Sequence, residues 1–209
     1  MAVITSLSTL HTAVADYLAR SNLTTFVPNF VQAWESDFYR EPQNFGAWME
    51  VSTDLTISSN VIAVPTDYLG LKFAYVSGSP SSRLDRVSLN QMHGRYPRGM
   101  ASDLPVWITR EATNFIFGPP PDSDYTIHIV YWGKPTLLRN AATDASAHFL
   151  ITDCPDLALF GALMQAVPFI KDDDRIPIWQ GMHDRAIQSY RRRMRDEDTS
   201  GSPVQEVLA

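Results

Sequence analysis

The stretch that decides the fold is residues 151–179, ITDCPDLALFGALMQAVPFIKDDDRIPIW. Pro155 stands where a helix begins, since its fixed φ and missing N–H do no harm in a first turn; Asp153 or Cys154 is the predicted cap. The body from Leu157 to Val167 is apolar nearly all round, and Pro168 ends or kinks it. Asp172, Asp173 and Asp174 then precede Pro177, so one of them is expected to cap a further helix and to complement its positive pole. A helix without a polar face must be covered on every side. Three other helices of moderate length need not enclose it, so the spacing alone calls for a strand module or a neighbouring subunit over the remaining face. The second option motivates a ring or another oligomer.

Outward from this stretch, the last helix is predicted to reach about Arg195, with Trp179, Met182, Ala186, Ile187, Tyr190 and Met194 as its apolar stripe. At the other chain end Leu7, Leu10, Val14, Tyr17 and Leu18 recur at helical spacing behind a Thr5 or Ser6 cap. A second helix follows, with Thr24 or Thr25 as cap, Pro28 in its first turn and Val27, Phe30, Val31, Trp34 and Phe38 as its buried stripe. Pro42 stops it. The two are expected to pack antiparallel.

Between the helical ends the pattern changes. VIAVP, LKFAYVSG, LPVWITRE, TNFIFGPPP and YTIHIVYW are short runs of β-branched and aromatic residues separated by turn formers. ITREATNFIFG reads as a hairpin turning near residues 111–114. Residues 87–103 read as a short helix and a long loop. The fold class is therefore α+β: a helical bundle formed by the N- and C-terminal helices, with an inserted antiparallel β module resembling a sandwich or barrel. Its expected parts are an N-terminal helical hairpin (1–46), the β module (47–135), C-terminal helices completing the bundle (136–195) and a flexible C-terminal arm (196–209).

Composition excludes several classes. The 209 residues carry 17 basic and 23 acidic side chains, a net charge of −6, which argues against a general nucleic-acid or membrane-surface binder. No run of about 18 apolar residues is present to cross a bilayer. The N-terminus does not read as a signal peptide. The single cysteine, Cys154, has no partner for an internal disulfide and reads as a buried thiol in a reducing compartment.

Chemistry-bearing motifs are few. There is no phosphate-cradling glycine loop, nucleophile elbow or Cys-x-x-Cys pair, and no metal or cofactor is expected. The five histidines are scattered, and in the one His–carboxylate neighbour pair, His183-Asp184, the side chains diverge by about 100° on a helix. Asp67, Asp85 and Asp103 are dispersed acids that nothing pairs. Trp48, Trp107, Tyr131 and Trp132 offer material for a stacking platform, the basis of an alternative in which the β sandwich binds a carbohydrate or peptide. Residues 191–195, RRRMR, are the densest positive cluster; helix-end electrostatics or a protein interface explains them better than nucleic acid.

The block Leu150-x-x-x-x-Pro155-Asp156-Leu157-Ala158-Leu159-Phe160-Gly161-Ala162-Leu163, followed by Pro168-Phe169-Ile170-Lys171-Asp172-Asp173, resembles the C-terminal signature of tailed-phage head-to-tail adaptor (connector) proteins. Val64-Pro65-Thr66-Asp67-Tyr68-Leu69, the Phe115 to Pro121 hairpin and Val130-Tyr131-Trp132 are similar to other parts of that family, so the likeness spans about residues 5 to 190. It implies a non-enzymatic virion structural protein of the head–tail neck, assembled in the host cytoplasm as a ring of usually twelve subunits between portal and tail or nozzle. Family members have no catalytic residues to carry over. By the same resemblance Arg191, Arg192, Arg193, Arg195, Val204, Val207 and Leu208 belong to a portal-docking arm, and Leu157, Phe160, Leu163, Phe169 and Trp179 to the subunit interface. An acidic ring would let DNA pass through its channel without specific binding.

Overall fold

A computed structural model describes residues 3–78, 81–97, 101–170 and 173–198. The chain divides into two compact units, one drawn from both chain ends (1–48 and 136–209) and one from the middle (49–135). Helices thus flank a strand module, and the fold is α+β.

In the helical unit α1 spans Leu7–Leu18. Ser6 caps it in a reciprocal box: its Oγ accepts from the Thr9 N–H at 3.3 Å while Thr9 Oγ1 accepts from the Ser6 N–H at 2.8 Å. Helix α2, Val27–Arg40, buries Val27, Phe30, Val31, Trp34 and Phe38. Thr24 and Thr25 do not cap it; both lie inside a 3₁₀ turn, Ser21–Phe26, that runs directly into α2. A short helix α4, Phe149–Thr152, leads into α5, Pro155–Ala166, and α6 spans Ile176–Asp198. Cys154 holds the cap position of α5 without a side-chain hydrogen bond, and burial pushes its thiol pKa up to about 11.

Helix α5 is the centre, with α1, α2, α4 and α6 all packed against it. The chain's own helices bury Leu157, Ala158, Leu159, Ala162, Leu163 and Ala166, so most of the apolar surface is covered within the unit, while Phe160 and Met164 stay partly exposed. The closest approach is at Gly161, where an added Cβ would lie 2.0 Å from Trp34 Nε1. Arg175 ties the start of α6 to the end of α1: its guanidinium donates to the Tyr17 and Leu18 carbonyls at 2.6 and 3.2 Å, groups that a helix C-terminus leaves unsatisfied. Asp173 holds Arg175 in place at 2.7 Å, and that bond lowers the Asp173 pKa to about 2.

Two expectations about α6 change. It continues past Arg195 to Asp198, helped by an Arg193–Glu197 bond of 2.7 Å one turn apart, so residues 196–198 are helix rather than arm. Met182, placed in the buried stripe, is 39% exposed. Residues 199–209, with Val204, Val207 and Leu208, lie outside the described residues, as does Asp172.

The middle unit holds two four-stranded sheets whose inner faces share one core that includes Ile57, Ile108, Phe115, Phe117, Ile127 and Ile129. The strands are β1 Glu50–Ile57, β2 Val61–Ala63, β3 Tyr68–Ser77, β4 Ser82–Arg83, β5 Asp85–Arg86, β6 Trp107–Glu111, β7 Asn114–Gly118 and β8 Tyr125–Gly133. One sheet runs β1-β8-β3-β4 and the other β2-β7-β6-β5. Pairing is antiparallel except for β5 with β6. The β6–β7 hairpin turns through Ala112 and Thr113, with Ala112 at φ 51°, and the short helix α3 spans Leu89–Arg95 behind a Ser88–Gln91 capping box. No single helix among the described residues is long and apolar enough to cross a membrane.

Gly161→Ala should destabilise the helical unit. Alanine's helix propensity gains roughly 1 kcal/mol, but overpacking a ring three of whose atoms would lie within 2.3 Å costs roughly 1–3 kcal/mol. Chemical denaturation should show a net loss, and Trp34→Phe should recover part of it in a double-mutant cycle.

Glu35 is the buried charge of this unit, 1% exposed, accepting the Leu138 N–H at 2.7 Å. Burial raises its pKa, against the Leu138 bond, the neighbouring Tyr39 hydroxyl and Arg139, which favour the charged form. The Tyr39 hydroxyl is buried beside it without a partner in strict hydrogen-bond geometry, and burial raises its pKa too. A raised carboxyl pKa means the folded state holds the proton more tightly. That stability is complete below the ordinary carboxylate pKa and is lost as pH rises through the folded value. Glu35→Gln keeps the acceptor and removes the charge, so it should raise Tm at neutral pH, with the gain shrinking as the solution is acidified.

Candidate functional site

On α6, Gln188, Arg191, Arg192 and Arg195 recur at intervals of three and four and form one stripe. Opposite them run a 3₁₀ turn, Pro42–Asn44, and Phe45. Stripe and turn flank an open cavity of about 530 Å³ walled by Pro42, Gln43 and Phe45 on one side and the glutamine and three arginines on the other.

The turn is held against α6 by a buried polar network centred on Asn44, which is 3% exposed. Its Nδ2 donates to the Phe38 carbonyl at 2.8 Å, its carbonyl accepts from the Tyr190 hydroxyl at 2.6 Å, and its Oδ1 accepts from Arg191 Nε at 2.8 Å. Trp48 Nε1 donates to the same Tyr190 oxygen at 3.0 Å, and burial pushes the Tyr190 pKa up to about 12. At Gly46 an added Cβ would lie 2.1 Å from Met194 Sδ, so the segment runs directly over the helix. Arg191 is thereby fixed through Nε, which leaves its two terminal nitrogens to face a ligand.

The helix splits the arginine run. Arg191, Arg192 and Arg195 line the cavity, whereas Arg193 binds Glu197 and lies 3.6 Å from Asp153. Arg193 therefore does not join the other three.

Of the residues expected at a subunit interface, Leu157, Leu163 and Trp179 lie in the core of the single chain, 1%, 0% and 3% exposed. Phe160 is half-buried, edge-on to Tyr17 at 6.0 Å, and lines an apolar cleft of about 300 Å³ with Val3, Ile4, Pro155 and Leu159. Phe169 is 56% exposed and stacks on Phe26, with Ile178 and Met182 also exposed. Sequence reading missed Phe26 and Ile178; the sign available was that neither falls on the buried stripe of its segment.

The β unit holds a polar chain of a different kind. His128 Nδ1 lies 2.6 Å from Asp54 Oδ1, and His128 Nε2 lies 2.9 Å from Ser52 Oγ. The connectivity is that of an acyl-transfer triad, but it sits on the outer face of the β1-β8-β3-β4 sheet with Ser52 and Asp54 exposed. Asp54 and His128 face each other across the β1–β8 ladder, so the group ties an edge strand to its neighbour. His183 and Asp184 approach to 3.5 Å on the surface of α6, nearer than their angular separation suggests but long for a hydrogen bond. Among the described residues no group of three or more metal-ligating side chains is placed to hold an ion.

The dispersed acids and aromatics do not form a site. Asp67 accepts the Tyr131 hydroxyl at 2.9 Å, Asp85 lies 3.8 Å from Arg83, and Asp103 bonds the next N–H. Trp48 belongs to the helical unit and stacks on Phe149. Tyr131 is core, while Trp132 lies under Lys72 and Trp107 packs edge-on to Tyr96.

His128→Ala should loosen β1 without unfolding the unit. Amide exchange across residues 51–55 should quicken by an amount corresponding to about 1 kcal/mol, the upper end for one cross-strand pair. Ser52→Ala should have less effect.

A family model described as SU10 adaptor protein matches residues 5–206 of the chain. No curated protein matches it.

Proposed function

The chain belongs to the SU10 adaptor protein family, and from that premise, which makes it a phage adaptor and a structural component of the virion, we propose that it forms a closed ring joining the portal to the tail or nozzle. The match over nearly the whole chain carries the proposal. The ring has about twelve subunits, is assembled in the host cytoplasm and continues the channel through which DNA leaves the head. No catalytic role is assigned.

Surface chemistry supports this. A closed ring uses heterologous contacts, in which one face of each subunit meets a different face of the next. The helical unit offers two such apolar surfaces, the Phe160 cleft by the start of α5 and the Phe26–Phe169 stack beyond its end. Phe160 and Phe169 thus remain candidate interface residues, joined by Phe26. The arginine-lined cavity is the candidate portal contact. A charge of −6 per subunit, repeated around the ring, disfavours adhesion of the passing genome.

Native mass spectrometry of the full chain, alone and mixed with the portal protein of the same phage, tests the proposal. The expected result is a ring, or a monomer that adds in a fixed number to a portal ring, with Phe169→Glu weakening assembly while circular dichroism stays unchanged. A monomer that ignores the portal would overturn it.

A further inference from the structure

We propose that the arginine-lined cavity of α6 takes an acidic peptide segment that also carries an apolar side chain, presented by another virion protein; the inference builds on the adaptor assignment and names the chemistry of its docking partner. Three guanidinium groups converge on one concavity, and none of the described residues lining it is a carboxylate. This occurs in a chain with six more acidic than basic side chains. Arg192 has no hydrogen bond or ion pair among the described residues.

Part of the cavity is also preformed. Asn44 fixes Arg191, Tyr190 fixes Asn44, and Trp48 fixes Tyr190, so binding does not have to order the Arg191 guanidinium. Guanidinium forks match carboxylates in paired hydrogen bonds. Pro42 and Phe45 add an apolar ledge, and the Gln43 and Gln188 amides supply both donors and acceptors for a peptide backbone. About 530 Å³ falls within the roughly 300–1,000 Å³ of sites that enclose a ligand. A nucleic-acid backbone fits less well, because it is served by an open basic track and the net charge of −6 on the chain opposes its other phosphates.

Fluorescence anisotropy on the full chain tests this with a short labelled peptide of alternating glutamate and leucine. Binding is expected, weakening with added salt and falling by about tenfold or more in Arg192→Glu/Arg195→Glu, the loss of roughly 1.4 kcal/mol per decade. Arg192→Gln/Arg195→Gln should weaken it less, while Arg83→Glu in the β unit leaves it unchanged. Phe45→Ala should weaken this peptide but not a glutamate–serine peptide. Failure to bind, binding indifferent to the arginine substitutions, or displacement by a short DNA duplex would each overturn the proposal, the last in favour of nucleic acid. The readout uses the protein without portal, so its failure is distinct from failure of the ring.

Discussion

Trp34 lies directly on the backbone of α5 because position 161 has no side chain. That contact brings α2 close enough for its aromatic stripe to continue into α6: Trp34 packs on Phe38 at 5.3 Å, and Phe38 on Tyr190 at the same distance. Tyr190 in turn holds Asn44 and Trp48, and Asn44 orients Arg191. The exposed arginine wall is therefore the outer end of a chain of contacts that begins in the core. Core packing density leaves little slack in such a chain, so a shift of α2 would be felt at the cavity.

Most elements of the fold are legible in the residues. Pro155 opens α5, Ser6 opens α1, and the β6–β7 hairpin follows from β-branched and aromatic runs around a tight turn. Strand β1 is hard to see because EVSTDLTI has no aromatic residue and half of its β-branched positions are threonine. Its only mark is alternation, with the exposed positions polar, as suits an edge strand with one wet face. The end of α6 was set too early because a cluster of charges resembles a terminus, whereas one acid a turn beyond Arg193 carries the helix on.

The site was less legible, for a different reason. Periodicity shows that a helix is covered and not by what, so Leu157 and Leu163 read equally well as interface or core. Contiguous arginines read as one cluster, although a helix turns Arg193 away from Arg192. The cavity exists only because a turn at residues 42–45 closes on a helix some 146 residues later in the chain. Asp54 and His128 likewise meet through strand register, which no local pattern reveals.

The bonds that complete the helical unit span almost the whole chain: Ser8 to Asp144, Tyr17 to Arg175, Asn44 to Tyr190. This has a consequence for synthesis. The first two helices leave the ribosome while their central partner, α5, is still untranslated, and their apolar stripes have nothing to close on. Residues 49–135, by contrast, emerge as a contiguous unit with its own core. At roughly 5–20 residues per second, translation of that insert alone keeps the amino-terminal hairpin waiting for several seconds. The β unit is thus the first part able to finish folding, and the amino-terminal helices are the segment most dependent on chaperone protection until the carboxyl-terminal helices arrive.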